Sequence, residues 1–153
     1  MKKIFLLILN LIVLNLSFSQ NNWTSFIAYH ARQLNDVYIC DFNHIFLVGG
    51  NPFNDSICSI YMTKNAGNSW IYIMDNISPW ARSITFTSSL VGYIVGDHGK
   101  IMKTTDGGDH WTYYNASGNL KSMDLYSVVF VNSNVGYIVG GSELLNKKIE
   151  LGI

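Results

Sequence analysis

The sequence predicts an all-β protein, an incomplete β-propeller of about two and a half four-stranded antiparallel blades. Three observations carry that expectation. The hexapeptide VGYIVG occurs at Val91 to Gly96 and again at Val135 to Gly140, 44 residues later, and a weaker copy, HIFLVG at His44 to Gly49, stands 47 residues before the first. Ahead of each copy runs a stretch of period-two alternation (NDVYIC, RSITFT, YSVVFV). Behind the first two copies comes a turn ending in tryptophan, TKNAGNSW at Thr63 to Trp70 and TTDGGDHW at Thr104 to Trp111. Four aligned segments in order, at a period of roughly 40 to 50 residues with four strands per unit, are the pattern of a propeller blade. A sandwich of short hairpins is the competing architecture, but it does not require a chain to repeat itself.

The elements follow in order. Lys2 and Lys3 precede an apolar run from Ile4 to about Leu16, and small residues Ser17 and Ser19 follow it. Residues 1–19 therefore read as a secretory signal peptide, too short and too interrupted by Asn10 and Asn15 for a spanning helix. A retained N-terminal anchor is the alternative. Residues 23–28 read as the last strand of a preceding blade, because Trp23 stands 47 residues before Trp70. The first full blade, 34–74, is expected to place strands at Asp36 to Cys40, Ile45 to Val48, Ile57 to Thr63 and Trp70 to Met74. The second, 81–114, repeats them at Ser83 to Thr87, Gly92 to Val95, Lys100 to Thr104 and Trp111 to Tyr114. A third, 125–149, begins properly at Tyr126 and then lacks the turn motif and its tryptophan. Propellers close with 4 to 8 blades, so residues 20–153 are expected to be part of a larger ring, or a truncated product.

Thr104, Asp106, Gly108 and Trp111 match the Asp-box, or bacterial neuraminidase repeat, pattern Ser/Thr-x-Asp-x-Gly-x-x-Trp, and Thr63, Asn65, Gly67 and Trp70 match it with Asn for Asp. With the preceding Gly-Tyr-x-Val-Gly strand, the units resemble the photosystem II assembly and stability factor family and its non-photosynthetic relatives. The resemblance implies a propeller that holds other proteins; it does not imply photosynthesis here, since fold does not fix function. The box chemistry is intelligible by itself. Gly107 and Gly108 tolerate positive φ, Asp106 can accept backbone N–H groups of its own turn, and Trp111 can cover it. A calcium loop starting at Asp106 would want glutamate at its twelfth residue and finds Ser117; a phosphate loop would want a Gly-Lys-Ser/Thr ending and finds none.

In an up-and-down blade both boxes join third to fourth strands, so they gather at one end. The opposite, loop-rich end is the expected binding face, with Asn54, Asp55, Trp80, Arg82, Asp97, His98 and Lys121 as its candidates and Trp80 as its exposed aromatic. His98 and His110 then fall at opposite ends of a blade. The four histidines show no metal-ligand spacing and no nucleophilic triad is visible, so neither cofactor nor metal is expected. The chain carries formal net charge +0, and loses two lysines and no acid with residues 1–19, giving 0 − 2 = −2. That offers no basic face for nucleic acid. Only two cysteines occur, Cys40 and Cys58, on first and third strands roughly 10 Å apart at two strand spacings, beyond disulfide reach.

The expected function is a secreted, periplasmic or cell-surface non-catalytic scaffold for an unidentified protein or extracellular ligand, without membrane insertion once the leader is cleaved. The alternative is part of a secreted sialidase-like or other glycoside hydrolase with its catalytic residues in further blades.

Overall fold

The structure is a computed structural model that describes residues 25–27, 33–51, 58–75, 80–116, 121–141 and 149–152. The expected leader, residues 23, 24 and 28 of the expected strand at 23–28, and the loop carrying Asn54 and Asp55 lie outside these, and residues 25–27 are not in a strand. Apart from 3-10 turns at Asp97–Gly99 and at Lys121 and Ser122, the described residues carry no helix, and none is long and apolar enough to cross a membrane.

The strands are β1 (Gln33–Ile39), β2 (Ile45–Gly50), β3 (Cys58–Thr63), β4 (Ile71–Asp75), β5 (Ala81–Phe86), β6 (Gly92–Gly96), β7 (Lys100–Thr104), β8 (Thr112–Asn115), β9 (Asp124–Asn132), β10 (Val135–Gly141) and β11 (Ile149–Gly152). They form three antiparallel sheets, β1-β2-β3-β4, β5-β6-β7-β8 and β9-β10-β11, each strand beside its chain neighbour. The sheets are not closed into a ring among the described residues. This is an incomplete β-propeller.

Each sheet has two faces, and the register decides which residues share one. Phe46 lies opposite Tyr38 and Met62, and Val48 opposite Ile60, so these side chains form the face that the first sheet turns towards the second. The second sheet answers with Ile84, Phe86, Ile94 and Met102, and the two sets make one buried cluster. Tyr93, Val95 and Ile101 lie on its other face; Val95 clusters with Leu125, Val128 and Ile138 of the third sheet, with Ile101 and Phe130 packed alongside. One ring contact recurs at both boundaries. Phe46 meets Phe86 at 5.0 Å between centroids, and 44 to 47 residues further on Tyr93 stacks on Phe130 at 4.6 Å.

The glycines of VGYIVG answer to this packing. Gly92 faces Phe86 across the ladder and Gly136 faces Phe130, and a Cβ on either would stand 2.6 Å or 2.8 Å from the ring. In the first sheet the matching pair is Ile45 opposite Ile39. Glycine thus appears where the partner is phenylalanine and gives way to isoleucine where it is not. The second glycine, Gly49, Gly96 or Gly140, passes so close to a neighbouring carbonyl (Gln33, Trp80 or Asp124) that no Cβ fits.

Those close passes accompany a β-bulge in each innermost strand, where the register skips Asn35, Arg82 and Tyr126. The bulges make β1 and β5 begin earlier than the alternation indicates, at Gln33 and Ala81 rather than Asp36 and Ser83. No disulfide joins Cys40 and Cys58. Their separation exceeds the two strand spacings expected, because Cys58 lies in the row of Gln33 and Gly50 whereas Cys40 lies past the row of Ile39, Ile45 and Thr63, about 17 Å along the strands.

Gly92→Ala is expected to lower unfolding free energy by about 2 kcal/mol through overpacking against Phe86. Phe86→Ile in the same chain should recover part of that loss, since it recreates the Ile39–Ile45 arrangement. Denaturant midpoints of the two single variants and the double variant check the coupling.

Candidate functional site

At the loop-rich end, the β5 bulge turns Arg82 out of the ladder, and its surroundings come from three segments. Its guanidinium carbon lies 4.8 Å from the Trp80 ring centre and 5.0 Å from that of Tyr126, the bulge residue of the third sheet. Nε donates to Oδ1 of Asp97, and Nη2 lies 3.6 Å from Oδ2 of Asp124. An arginine between two rings and two carboxylates is held in place, because cation–π attraction and charge pairing act on the same planar group. Backbone bonds fix the frame: Asp97 N–H donates to the Trp80 carbonyl at 3.2 Å, Gly99 N–H to the Met123 carbonyl at 2.7 Å, and His98 N–H to Asp124 Oδ1 at 3.3 Å. His98 itself sits at φ 56°, a left-handed conformation uncommon outside glycine.

Burial raises the Asp97 carboxyl above its ordinary range, and the hydrogen bond and charge of Arg82 oppose that shift. One guanidinium against two carboxylates leaves a single negative charge at the cluster when both acids are ionised. Tyr126 is exposed and Asp124 half-buried, so an incoming chain can reach both.

Of the seven residues expected on this face, Trp80, Arg82, Asp97 and His98 are brought together, Lys121 is exposed near the start of the third sheet, and Asn54 and Asp55 lie outside the described residues. Trp80, expected to be exposed, is half-buried, with Nε1 buried and unpartnered among the described residues. Tyr126 escaped sequence reasoning. Its signal was present in the repeat, which aligns it with Arg82 44 residues earlier, but a bulge residue breaks the alternation that identifies faces.

The Thr-x-Asx-x-Gly-x-x-Trp turns occupy the other end, between β3 and β4 and between β7 and β8. In each, a buried threonine hydroxyl accepts the N–H of the glycine four residues on, Thr63 from Gly67 and Thr104 from Gly108, both at 2.9 Å. That hydroxyl donates to the Asx oxygen, at 2.9 Å to Asn65 and 2.8 Å to Asp106. The Asx oxygen in turn accepts a backbone N–H, from Ser69 at 2.8 Å and His110 at 3.0 Å. The bonds from His110 and from Thr104 hold the Asp106 carboxyl well below the usual carboxylate range. Ala66 and Gly107 donate to the carbonyls of Asn43 and Leu90, which ties the box to the first hairpin of its own sheet. The box also reaches the neighbouring sheet, where Gly108 lies against the Phe46 ring and Trp111 meets Phe46 edge-on; Trp111 meets Phe86 of its own sheet edge-on as well.

A groove of about 210 Å³ lies between the two box turns, lined among others by Cys40, Asp41, His44, Lys64 and Asp106. Its polar side chains face one another, Asp41 on His44 at 2.8 Å and Lys64 on Asp109 at 2.7 Å. Burial, aided by the Asp41 charge, pushes the Cys40 thiol up to about 11, so it stays protonated and a poor nucleophile near neutral pH. No group of three or more metal-binding side chains occurs among the described residues.

The family described as photosynthesis system II assembly factor YCF48 matches residues 62–152, more than half of the chain. The chain belongs to this family. The photosystem II stability/assembly factor HCF136, chloroplastic, of Oryza sativa subsp. japonica is 34% identical over 62 residues, which are 40% of this chain and 15% of the rice protein. A solved structure of YCF48 bound to D1 peptide superposes with a TM-score of 0.63 at 19% identity, covering 88% of this chain and 44% of that one. That likeness supports the propeller fold. The chain spans less than half the length of either protein.

A secreted, periplasmic or cell-surface location, expected from the N-terminus, is overturned by these matches, because the rice relative is chloroplastic rather than extracellular. Two lysines ahead of a short apolar run carry targeting chemistry that many export routes share, and do not by themselves name a compartment.

Two outcomes test the box turns. Ala66 stands at φ 55° where the second box has Gly107 at φ 75°, so Ala66→Gly should raise stability by about 1 kcal/mol, measured by denaturant unfolding. A carboxyl whose folded pKa is depressed contributes stability above its unfolded value, about 3.9, and loses that contribution as pH falls through the folded value. Asp106→Asn is therefore expected to match the parent chain near neutral pH, as Asn65 serves the first box, and to show a shallower loss of melting temperature below about pH 4.

Proposed function

We propose that this chain is a non-catalytic, protein-binding propeller that holds an extended segment of a client protein at its loop-rich end. The observation that carries the reading is the Arg82 cluster. A guanidinium immobilised between Trp80 and Tyr126, with Asp97 and Asp124 at its edge, offers an aromatic surface and acceptor oxygens on a rigid frame, a preorganised arrangement that binds a chain with little ordering cost. The structural relative is described as bound to a D1 peptide, which supports a peptide as ligand class. Family membership among assembly and stability factors supports a holding role over a chemical one.

The excess negative charge favours a segment carrying a lysine or arginine, which would stack on the exposed side of Tyr126 and pair with Asp124. Fluorescence anisotropy with extended lysine-containing peptides and their glutamate-containing counterparts tests this. The lysine peptides should bind preferentially, and Tyr126→Ala or Asp124→Asn should weaken them by about tenfold, equivalent to about 1.4 kcal/mol. Lys64→Ala, at the opposite end, should leave binding unchanged. Equal binding of both peptide sets, or indifference to Tyr126→Ala, would remove the proposed site.

A further inference from the structure

The Arg82 cluster holds two carboxylates, and they are not equivalent. The side chain of Asp97 is 11% exposed and that of Asp124 is 32% exposed. Nε of Arg82 donates to Oδ1 of Asp97, whereas Nη2 stands 3.6 Å from Oδ2 of Asp124, beyond hydrogen-bond length. Oδ1 of Asp124 accepts the His98 N–H at 3.3 Å. The guanidinium is therefore committed to the buried acid, and Oδ2 of the more exposed acid keeps room for another donor. Asp97 lies too deep to receive a client group itself.

The repeat shows that the scaffold does not need Asp97. Gly50 takes its place in the first sheet, 47 residues earlier, and Gly141 in the third, 44 residues later, while Arg82 answers to Asn35 and Tyr126. The acid thus stands only in the unit that carries the arginine, and β2 and β10 run through the same position without a carboxylate. Burying a carboxylate costs desolvation free energy that its pairing must offset. Since uncharged residues fill both places in the other two units, the pair serves something other than the sheet.

We propose that Asp97 is a positioning residue for the client: ionised, it draws Arg82 off Asp124 and leaves Oδ2 of Asp124 to the client's lysine or arginine; protonated, it releases Arg82 to Asp124 and shuts that acceptor. This rests on the reading of the Arg82 end as the client site. The ionisable groups around Asp97 are Arg82 on β5, Asp124 on β9 and His98 on its own turn. Burial raises its carboxyl and the Asp124 charge adds to the rise, while the hydrogen bond and charge of Arg82 and the charge of His98 oppose it. On acidification Asp97 therefore takes up its proton before an ordinary carboxyl does. Arg82 and Asp124 are then left as a neutral pair, and the single negative charge that attracts the client's cation is gone.

Anisotropy of a lysine-containing peptide at fixed ionic strength, followed from about pH 7 to about pH 4.5, reads the effect. The parent chain should bind about tenfold more weakly at the acid end, with the loss setting in above the ordinary carboxyl midpoint of about 3.9. Asp97→Asn should bind near neutral pH as weakly as the parent does in acid, with no further loss over this range. His98→Asn should keep the parent's loss, because asparagine tolerates the left-handed backbone there. Arg82 is one of only two arginines in the chain, so its Nε–H resonance can be followed in the parent protein without peptide. It should shift with the same midpoint as the affinity, a measurement that decides even where a variant fails to fold. Firm binding that stays constant across the range, Asp97→Asn that binds like the parent, a loss that persists in Asp97→Asn or vanishes in His98→Asn, or a fixed Nε–H resonance would each overturn this inference and leave the client site standing. Absence of binding near neutral pH would remove the client site, and the inference with it.

Discussion

A four-stranded sheet with apolar side chains on both faces cannot stand alone in water, and the contact between neighbouring sheets is the interaction on which this protein depends. Its centre is a ring pair set by the repeat, Phe46 on Phe86 and Tyr93 on Phe130. Around each pair the buried residues come from two different sheets, so neither sheet owns its core. Removing a sheet would expose its neighbour as surely as it would remove itself, which makes stability a sum of boundaries rather than of blades.

Polar contacts follow the same boundary. Asp36 on β1 accepts the Ser83 hydroxyl and the Ile84 N–H of β5, both at 2.9 Å, Asn35 donates to the Ala81 carbonyl at 2.7 Å, and the Tyr38 hydroxyl donates to the Phe86 carbonyl at 3.2 Å. Innermost strands of adjacent sheets are thus joined by side chains reaching backbone groups instead of by a ladder. The bulges at Asn35, Arg82 and Tyr126 have a related use. They bend each innermost strand at the loop-rich end, and two of the three released side chains build the aromatic and cationic part of the candidate site.

Most of the strand pattern was legible because the repeat could be read against itself: β7 falls at Lys100–Thr104 as its alternation and turn indicate, and β6 differs only by adding Gly96. What stayed hidden was whatever departs from period two. The bulges concealed the first residues of β1 and β5, since an extra residue shifts every preceding side chain to the opposite face. The identical glycines of VGYIVG were visible, but their purpose required a neighbour's ring or carbonyl, which local sequence does not specify. Arg82, Asp97, His98 and Trp80 were legible as a group because the topology assigns them one end of a blade. Tyr126 was not, because it sits inside a strand and reaches the site only through its bulge.

The central claim is that the repeated ring pair couples adjacent sheets energetically, and a double-mutant cycle on Tyr93 and Phe130 tests it most directly. The account predicts that Tyr93→Leu and Phe130→Leu each destabilise, and that the double variant loses less than the sum of the two, with a coupling of about 1 kcal/mol by denaturant unfolding. Strict additivity, with coupling indistinguishable from zero, would contradict it.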